Sequence, residues 1–261
     1  MQPLLFKLAE PVQDYNPETR QRIISILRML EPHHIEGINK VRLGQMNDGG
    51  YVMADDFDGI TTAYSLGINN DVSWDLDIAH RGIDLFQYDH TISGLPLNHQ
   101  RFNWKPFGIA AQTSLDGRIK TLQEIILENG HESSGNMLLK CDIEGYEWEV
   151  FANLDVSFIR LFRQIVIEVH AFQELRRSDF AEIARQAISN LTAYHKVVHV
   201  HANNYGPWAV LGGVPLPTVL EFTLVHCDRG VMKPSYEHFP TKLDMPNNPK
   251  ICDFPLGDFR M

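Results

Sequence analysis

Short apolar runs alternate with amphipathic segments along most of the chain. Runs typical of buried strands occur at residues 62–66, 84–88, 105–110, 136–141, 164–170, 195–201 and 220–226. Apolar residues recur at helical spacing in residues 17–30, 118–128 and 178–191, and at Trp148, Phe151 and Leu154. This alternation predicts an α/β fold, a mostly parallel sheet with helices on both faces. No helix separates the last two strands, so they could form an antiparallel pair at the edge.

The pattern divides the 261 residues into three parts. Residues 1–40 predict a helical segment, with Asn16 as N-cap and Pro17 at the first helical position. Residues 41–227 contain the alternating strands and helices and predict the ligand-binding domain. Residues 228–261 contain five prolines and few apolar runs, which predicts irregular chain that wraps the surface or covers a site.

The charge balance argues against two classes of partner. The chain has 33 Asp and Glu residues against 23 Lys and Arg, and its formal net charge is −10. Without a Lys/Arg run, it lacks the electrostatic footprint of a nucleic-acid or anionic-membrane binder. We see no segment of membrane-spanning length and no signal-peptide pattern. Three cysteines without a CxxC pair are typical of a reducing compartment, so we expect a cytoplasmic protein.

Polar residues follow most of the predicted strands. In an open α/β sheet, ligands bind beyond the carboxyl ends of the strands. The residues at these positions are acids, amides, histidines and one glycine: Gly67, Asn69, Asn70, Asp71, Asp89, His90, Asp142, Glu144, Glu168, His170, His201, Asn203 and Asn204. This arrangement predicts one polar crevice at the carboxyl ends of the strands.

The turn after the first of these strands has a glycine but no GxGxxG pattern. Gly67 would let a ligand approach the backbone closely. Asp89 lies about 20 residues further on, where it could accept hydrogen bonds from two ribose hydroxyls. The pair suggests a nucleoside ligand without a tightly held diphosphate. The alternative is a plain turn glycine and a helix-capping aspartate.

Acids and histidines end the strands in the middle of the predicted sheet. Asp142 follows an apolar run, where a charge must be paired, metal-bound or solvated. Glu168 and His170 share one strand face, and His201 ends the next strand. With Asp142 they could bind a divalent metal, or serve as base and orienting acid for a hydroxyl nucleophile. The alternatives are helix-first-turn acids and hydrogen-bonded structural histidines.

A turn motif precedes the first of these strands. Residues 44–52 contain Asp48, Gly49 and Gly50, a sequence typical of a tight turn between short strands. A plain hairpin and a loop that contacts a ligand are both consistent with it.

One segment resembles a known family signature. Leu139–Glu147 reads L-K-C-D-I-E-G-Y-E and is similar to the K-(I/C)-D-(V/I)-E-G-x-E signature of FkbM-type methyltransferases. Asn47–Val52, Ser65–Asp71 and Tyr88–Thr91 resemble a subgroup of that superfamily. The resemblance covers roughly residues 41–226. It departs from the family at residues 65–71, where S-L-G-I-N-N-D replaces the usual D-x-G-A-x-x-G.

The resemblance implies a fold, a cofactor and a set of contacts. The expected fold is the class I S-adenosylmethionine fold, a Rossmann-like seven-stranded sheet whose last strand is antiparallel. Gly67 would pass close to the methionine part of the cofactor, Asp89 would hold the ribose, and Asp142 would lie near the transferred methyl group. The residues expected to contact S-adenosylmethionine are Asn47, Gly50, Gly67, Asp71, Asp89, His90, Ala110 and Asp142.

The leading hypothesis is an S-adenosylmethionine-dependent O-methyltransferase that acts on a hydroxyl of a small molecule. Sugars, nucleotide-sugars and other secondary metabolites are the acceptors that the resemblance implies. In-line transfer needs a base or a metal at the acceptor. We expect His170 or His201 to be the base, or to hold a divalent ion with Asp142 and Glu168.

Two other hypotheses come from different classes of protein. The altered glycine turn favours a non-catalytic nucleotide-binding or assembly module with the same fold. A nicotinamide-dependent oxidoreductase is disfavoured by the missing GxGxxG. Beyond the small-molecule acceptor we expect neither nucleic acid nor membrane as a partner, and a homo-oligomer stays open.

Overall fold

The apolar runs form a seven-stranded sheet in the computed structural model, which describes residues 12–261. The strands are β1 His33–Ile35, β2 Lys40–Leu43, β3 Tyr51–Ala54, β4 Thr62–Leu66, β5 Asp84–Tyr88, β6 Phe102–Lys105, β7 Gly108–Ile109, β8 Ile119–Lys120, β9 Met137–Cys141, β10 Phe162–Val169, β11 His195–Ala202, β12 Trp208–Leu211, β13 Val214–Pro217, β14 Leu220–His226 and β15 Met232–Pro234. The helices are α1 Pro17–Arg28, α2 Ser73–His80, α3 Leu122–Glu128, α4 Glu147–Asn153, α5 Val156–Ile159 and α6 Ser178–Thr192. Two short 3-10 helices span Phe172–Arg176 and Cys227–Arg229.

The strand order of the central sheet is β6-β5-β4-β9-β10-β14-β11. Neighbouring strands are parallel except for β14, which runs antiparallel to both β10 and β11. The predicted fold class, a Rossmann-like seven-stranded sheet with an antiparallel last strand, is therefore confirmed. The predicted antiparallel pair of β11 and β14 forms, but β14 lies inside the sheet. Six of its seven residues are buried, as a central position requires.

Different layers cover the two faces of the sheet. Ile165 and Ile167 of β10 belong to the main core, to which α1, α3, α4, α5 and α6 contribute. Val166 points to the opposite face and packs in a second core with Tyr51 of β3 and Trp74 of α2. The hairpin of β2 and β3 therefore covers this second face, together with α2.

Most of the predicted elements match the structure closely. The Asn16 side chain accepts a hydrogen bond from the Glu18 N–H, and Pro17 is the first residue of α1, which confirms the predicted start. Strands β4 and β5 have the predicted bounds. The four later predicted strands each lie within two residues of β9, β10, β11 and β14.

Two predicted elements were wrong in their placement. The expected strand at 105–110 does not form as one strand, because Pro106 has no N–H to continue the sheet ladder. The sheet strand β6 ends before it, and β7 instead pairs with β8 in a separate ribbon. The helix expected from Arg118 begins only at Leu122, since Thr121 and Glu124 form a capping box there.

Residues 228–261 follow a mostly irregular path. β15 pairs with β1, and Phe239 forms a bridge with Gly257. The chain between Asp244 and Asp253 lies against β11 and β14. The division of the chain into three parts stays a prediction. Within residues 12–261, no helix combines the length and the apolar character needed to cross a membrane.

Candidate functional site

The turn after β4 presses against the end of β9. Gly67 has a φ of 77°, and a Cβ atom there would lie 1.7 Å from the Asp142 carbonyl oxygen. Lys140 Nζ donates a hydrogen bond of 2.7 Å to the Gly67 carbonyl oxygen. Only glycine fits this conformation and this space, so the turn exposes bare backbone beside the neighbouring strand.

Asp89 holds the glycine turn in place. Its Oδ2 accepts hydrogen bonds from the Ile68 N–H at 2.9 Å and the Asn69 N–H at 2.8 Å. Its Oδ1 accepts from the N–H and the hydroxyl of Thr91, at 2.7 and 2.6 Å. Burial raises the pKa of Asp89, but these four bonds outweigh it and hold the pKa below its usual value. A carboxylate offers about four lone-pair positions, and donors of the protein occupy four positions on Asp89. The predicted contact of Asp89 with a ribose stays a prediction.

His90 and Ala110 lie on the side of Asp89 that faces the β7–β8 ribbon. A Cβ atom at Gly108 would come within 2.4 Å of His90 Nδ1, so the His90 ring packs directly against the Gly108 backbone. The Ala110 N–H donates to the Lys120 carbonyl oxygen at 3.1 Å. The His90 ring thus lies against β7, two residues before Ala110, and the cofactor contacts of both residues stay predictions.

Asp71 and the hairpin turn lie on the other side of the glycine turn. Asp71 accepts hydrogen bonds from the N–H and hydroxyl of Ser73 at the start of α2. A Cβ atom at Gly49 would lie 2.2 Å from Asp71 Oδ2, so the hairpin turn rests on this carboxylate. The tip of the hairpin is thus fixed to the sheet beside the glycine turn.

Asn47 and Gly50 form the turn itself. The Gly50 N–H donates to the Asn47 carbonyl oxygen at 3.1 Å, and β2 and β3 pair antiparallel on either side. This confirms that residues 44–52 form a hairpin. Asn47 Nδ2 donates to the Pro246 carbonyl oxygen at 2.8 Å, so the turn also contacts the C-terminal segment.

Asp142, Glu168, Glu221 and His201 occupy adjacent positions on four neighbouring strands. The register pairs Glu168 with Glu221, and Glu221 with His201. Cys141 pairs with Ile167, which sets Asp142 and Glu168 side by side at the next position. We refer to these four residues as the acid row. It begins beside Gly67 and crosses the sheet on the face that the hairpin covers.

Burial raises the pKa values of the two carboxyl groups nearest the glycine turn, those of Asp142 and Glu168. It raises the pKa of Asp142 to about 6, against the opposing charges of Lys140 and His170. Burial and the charge of Asp142 raise the pKa of Glu168 to about 8. Asn203 Nδ2 donates to Glu168 Oε1 at 2.9 Å, whereas Asp142 Oδ1 is buried and accepts no hydrogen bond. The row therefore contains an unsatisfied acceptor next to the glycine turn.

His170 lies between carboxylates. Its Nδ1 is 3.3 Å from Glu147 Oε1, its Nε2 is 3.2 Å from Glu168 Oε1, and Glu144 Oε2 lies 3.7 Å from Nε2. Burial lowers the pKa of His170, but the bonds to Glu147 and Glu168 raise it overall to about 12. The ring holds its proton at neutral pH, which argues against the predicted role of general base.

Glu147 is a site residue that the sequence reasoning assigned to the first turn of a helix. It does begin α4, but its side chain is 1 % exposed and turns back into the site. It accepts hydrogen bonds from the N–H groups of Ile143 and Gly145, as well as contacting His170. The signal was its place as the last glutamate of the quoted signature.

His201 is bound separately, at the far end of the acid row. Its Nδ1 contacts Glu221 Oε2 at 3.1 Å, and its Nε2 contacts Asp253 Oδ2 at 3.0 Å. Burial opposes the charged ring, but Glu221 and Asp253 raise the pKa of His201 to about 10. It therefore also holds its proton at neutral pH, and two strand positions separate it from Glu168.

The predicted metal ligands overlap in part with a group of side chains that the structure brings together. In the described part of the chain, the group that could surround an ion is Asp142, Glu147 and His170, whose ligand atoms lie within 4.8 Å of one another. It does not include His201 or Glu168, and the predicted four-residue set stays a prediction. A metal ion bound there would have to displace a proton from His170, whose two ring nitrogens face Glu147 and Glu168.

Three non-glycine residues with positive φ end strands of this site. They are Asn69 after β4, Glu144 after β9 and Ala171 after β10, with φ of 49°, 55° and 65°. Such conformations cost about 1–3 kcal/mol each and collect at functional sites. Glu144 lies in a turn and not on the strand, and its side chain is 73 % exposed near His170.

A polar, strained edge with a glycine turn in this strand order is typical of α/β proteins that bind a nucleoside ligand. Residues 59–191 match the family described as the methyltransferase FkbM domain, a span of 133 of the 261 residues. The chain therefore belongs to the FkbM methyltransferase domain family, as the signature at 139–147 indicated. Membership of this family supports S-adenosylmethionine-dependent methylation.

Comparison with solved structures gives more distant likenesses. One is described as "Putative hemolysin from Streptococcus thermophilus", with a TM-score of 0.34, 10 % identity, 65 % of this chain covered and 60 % of that chain. Another is a SAM-dependent methyltransferase from Agrobacterium tumefaciens, with a TM-score of 0.31, 10 % identity, and 65 % and 57 % covered. The matched part thus spans about three fifths of each of these proteins. No curated protein matches the chain.

Proposed function

We propose that this chain is an S-adenosylmethionine-dependent O-methyltransferase that methylates a hydroxyl group of a small polyhydroxylated molecule, such as a sugar. One observation carries the proposal. The bare glycine turn, the unsatisfied Asp142 carboxylate and the buried Glu168 carboxylate stand on three neighbouring strands. Methyl transfer to a hydroxyl needs a place for the cofactor, a negative charge beside its sulfonium and a base for the acceptor proton. We assign these three functions to the glycine turn, Asp142 and Glu168, in this order across the sheet.

The glycine turn and Asp142 fit the cofactor. Gly67 leaves room for a ligand against backbone, and Asp142 Oδ1 lacks the donor that a cationic ligand would supply. S-adenosylmethionine, when bound, supplies a methyl group that its sulfonium activates. The role of the protein is then to hold the acceptor oxygen in line with that methyl group and to exclude water.

Glu168 is the residue we assign to the acceptor proton. It stands one strand beyond Asp142, and its side chain is 7 % exposed. His170 and Asn203 both direct hydrogen atoms at its Oε1 and so fix the carboxyl group. A base works best when its pKa lies near the working pH, and burial brings the pKa of Glu168 there. His170 would orient this base and would not itself remove the proton.

The test of cofactor binding is calorimetric titration with S-adenosylhomocysteine. We expect the wild type to bind it, and Asp142→Asn to bind about 10–100-fold more weakly because a charged acceptor is lost. Asp75→Asn is the control, since Asp75 is also a carboxylate beneath the hairpin but is bonded to Gln87. Chelator should leave the affinity unchanged. Failure of the wild type to bind would overturn the proposal.

The test of catalysis is the release of S-adenosylhomocysteine from S-adenosylmethionine with a panel of polyhydroxylated acceptors. Glu168→Gln should lower kcat about 100-fold or more and leave S-adenosylhomocysteine affinity unchanged. Asn203→Asp keeps the size and the bond from the Tyr205 N–H but sets a second carboxyl group against Glu168, so it should shift the pH dependence of kcat to higher pH. Binding without turnover of any acceptor would instead support the non-catalytic module.

A further inference from the structure

The C-terminal segment from Asp244 to Asp253 closes over the far end of the acid row. His199 Nε2 donates to Asp244 Oδ1 at 2.8 Å, and His201 Nε2 contacts Asp253. Asn204 adds a third attachment, because its Oδ1 accepts from the Asn248 N–H at 2.6 Å. The segment is therefore fixed to β11 at both ends and, in the middle, to the turn that follows β11.

Asn247 is the residue of this segment that enters the row. It is 2 % exposed, and its Nδ2 donates to Glu221 Oε1 at 2.7 Å and to Asp48 Oδ1 at 3.0 Å. Rotating the amide would turn its oxygen towards two carboxylates, so the orientation is fixed by charge. Its Oδ1 is buried and accepts no hydrogen bond. A buried acceptor without a donor is unfavourable, and a bound donor would supply the missing hydrogen bond.

The surroundings of Asn247 carry an excess of negative charge. Burial raises the pKa of Asp48, and the charges of Glu221 and Asp71 add to it. Burial also raises the pKa of Tyr51 well above its usual value, and four neighbouring carboxylates, led by Asp142, contribute. An anionic ligand would meet the same repulsion, whereas a cationic one would relieve it.

The cations of this region already have partners. Lys140 donates to the Gly67 carbonyl oxygen, and His201 lies between Glu221 and Asp253. Arg42 donates to the carbonyl oxygens of Gln45, Met46, Asn47 and Leu243 and so ties the hairpin to the C-terminal segment. The hydrogen bonds of these three cations go to groups other than Asn247. The region around Asn247 therefore still contains more hydrogen-bond acceptors than donors.

We propose that the segment Asp244–Asp253 forms the acceptor subsite, and that Asn247 and Glu221 select an amino-substituted polyhydroxy compound over neutral and anionic ones. The inference rests on the proposed function and names the substrate class of the same site. The ligand would donate from a hydroxyl or ammonium group to Asn247 Oδ1 and place its positive charge near Glu221 and Asp48. A second hydroxyl would then face Glu168, one strand nearer the cofactor turn.

The experiment titrates the protein, saturated with S-adenosylhomocysteine, with three sugars that differ in one substituent: glucosamine, glucose and glucuronate. We expect glucosamine to bind about tenfold more tightly than glucose, and glucuronate to show no binding. Asn247→Leu and Glu221→Gln should each lower the affinity for glucosamine about tenfold and reduce its advantage over glucose. Glu132→Gln, which removes an exposed carboxylate outside the site, should change neither.

The affinity for S-adenosylhomocysteine, measured first on every variant, separates the possible failures. If the wild type does not bind it, the proposed function is overturned. If the wild type binds it but prefers glucuronate, or binds none of the three sugars, the acceptor inference alone is overturned. An unchanged sugar preference in both Asn247→Leu and Glu221→Gln, with S-adenosylhomocysteine binding intact, would also contradict it.

Discussion

The carboxyl ends of the parallel strands form one edge of the sheet, and the two halves of this edge are held together by different contacts. The first half comprises the ends of β4 and β5, and the second half comprises β10, β14 and β11. At the ends of β4 and β5, Asp89 receives its four hydrogen bonds from residues 68, 69 and 91, so two neighbouring strand-end loops satisfy it. At the ends of β10, β14 and β11, Glu221 receives its bonds from His201 and from Asn247 of the C-terminal segment. The first half leaves no position of Asp89 unused, whereas the second half leaves Asn247 Oδ1 unpaired.

This difference suggests that the two halves bind different ligands. A turn fixed by local contacts is already in its binding geometry, which lowers the entropy cost of holding a ligand. A subsite completed by a distant segment can differ between relatives without disturbing the turn, because that segment is mostly irregular chain. The first half would then serve the common cofactor, and the second half the particular acceptor.

The largest expected effect on ligand affinity is that of Gly67→Ala, in the first half. The new methyl group would meet the Asp142 carbonyl oxygen, and the backbone would keep an unfavourable positive φ. We expect the free energy of unfolding to fall by about 2–4 kcal/mol and the affinity for S-adenosylhomocysteine to fall at least about 100-fold. Chemical denaturation and calorimetry measure the two quantities.

Gly82→Ala is the control for this variant. Gly82 has a φ of 84°, but its nearest contact is an Arg101 side-chain atom at 4.0 Å, so only the backbone conformation is penalised. We expect a loss of about 1 kcal/mol and unchanged ligand affinity. Equal losses of stability for the two glycines would contradict the close approach of Gly67 to β9.

The next effect concerns His201 in the second half and the change of the free energy of unfolding with pH. Because the pKa of His201 is raised to about 10 in the folded protein, its stabilising contribution is complete below the unfolded value of about 6.5. As pH rises from there through about 10, the unfolded chain loses this proton first and the contribution is lost. Over this interval we expect wild-type stability to fall by up to about 5 kcal/mol more than that of His201→Gln, because one pKa unit corresponds to about 1.4 kcal/mol.

His195 provides the control for the pH experiment. Burial lowers its pKa to about 4, so it is neutral throughout the same interval and His195→Gln should keep the wild-type slope. The measurement is the free energy of unfolding at each pH. A wild-type slope in His201→Gln would show that the contacts with Glu221 and Asp253 do not hold the ring proton.

The sequence predicted the sheet and placed Gly67 and Asp89 just after its strands, for a physical reason. Apolar runs and the polar residues that follow them form local patterns that mark where each strand ends, whereas the ligand contacts of Gly67 and Asp89 stay predictions. Glu221 and Asn247 act through contacts made only when distant strands and the C-terminal segment meet. The sequence showed a buried run at 220–226 and an irregular segment near 247, but no local signal joined them. Similarly, Glu147 has the pattern of a helix start, and only the fold turns it toward His170.

The smallest expected effect tests whether Asp89 acts through the turn. Thr91→Val removes the hydroxyl that donates to Asp89 Oδ1 and keeps the backbone bond and the side-chain shape. We expect a loss of about 1 kcal/mol in the affinity for S-adenosylhomocysteine, close to fivefold, and a similar loss of stability. Thr91→Ser keeps the hydroxyl and should bind nearly as well as the wild type.

The outcome separates two roles for Asp89. If it holds the turn, removing one of its four donors loosens the N–H groups of Ile68 and Asn69, and affinity and stability fall together. If it mainly accepts hydrogen bonds from a ribose, freeing a position on Oδ1 should leave affinity unchanged or raise it while stability falls. The second result would mean that Asp89 also offers an acceptor to the ligand. Both halves would then contain an acceptor for a ligand, and they would differ only in how many donors of the protein compete for it.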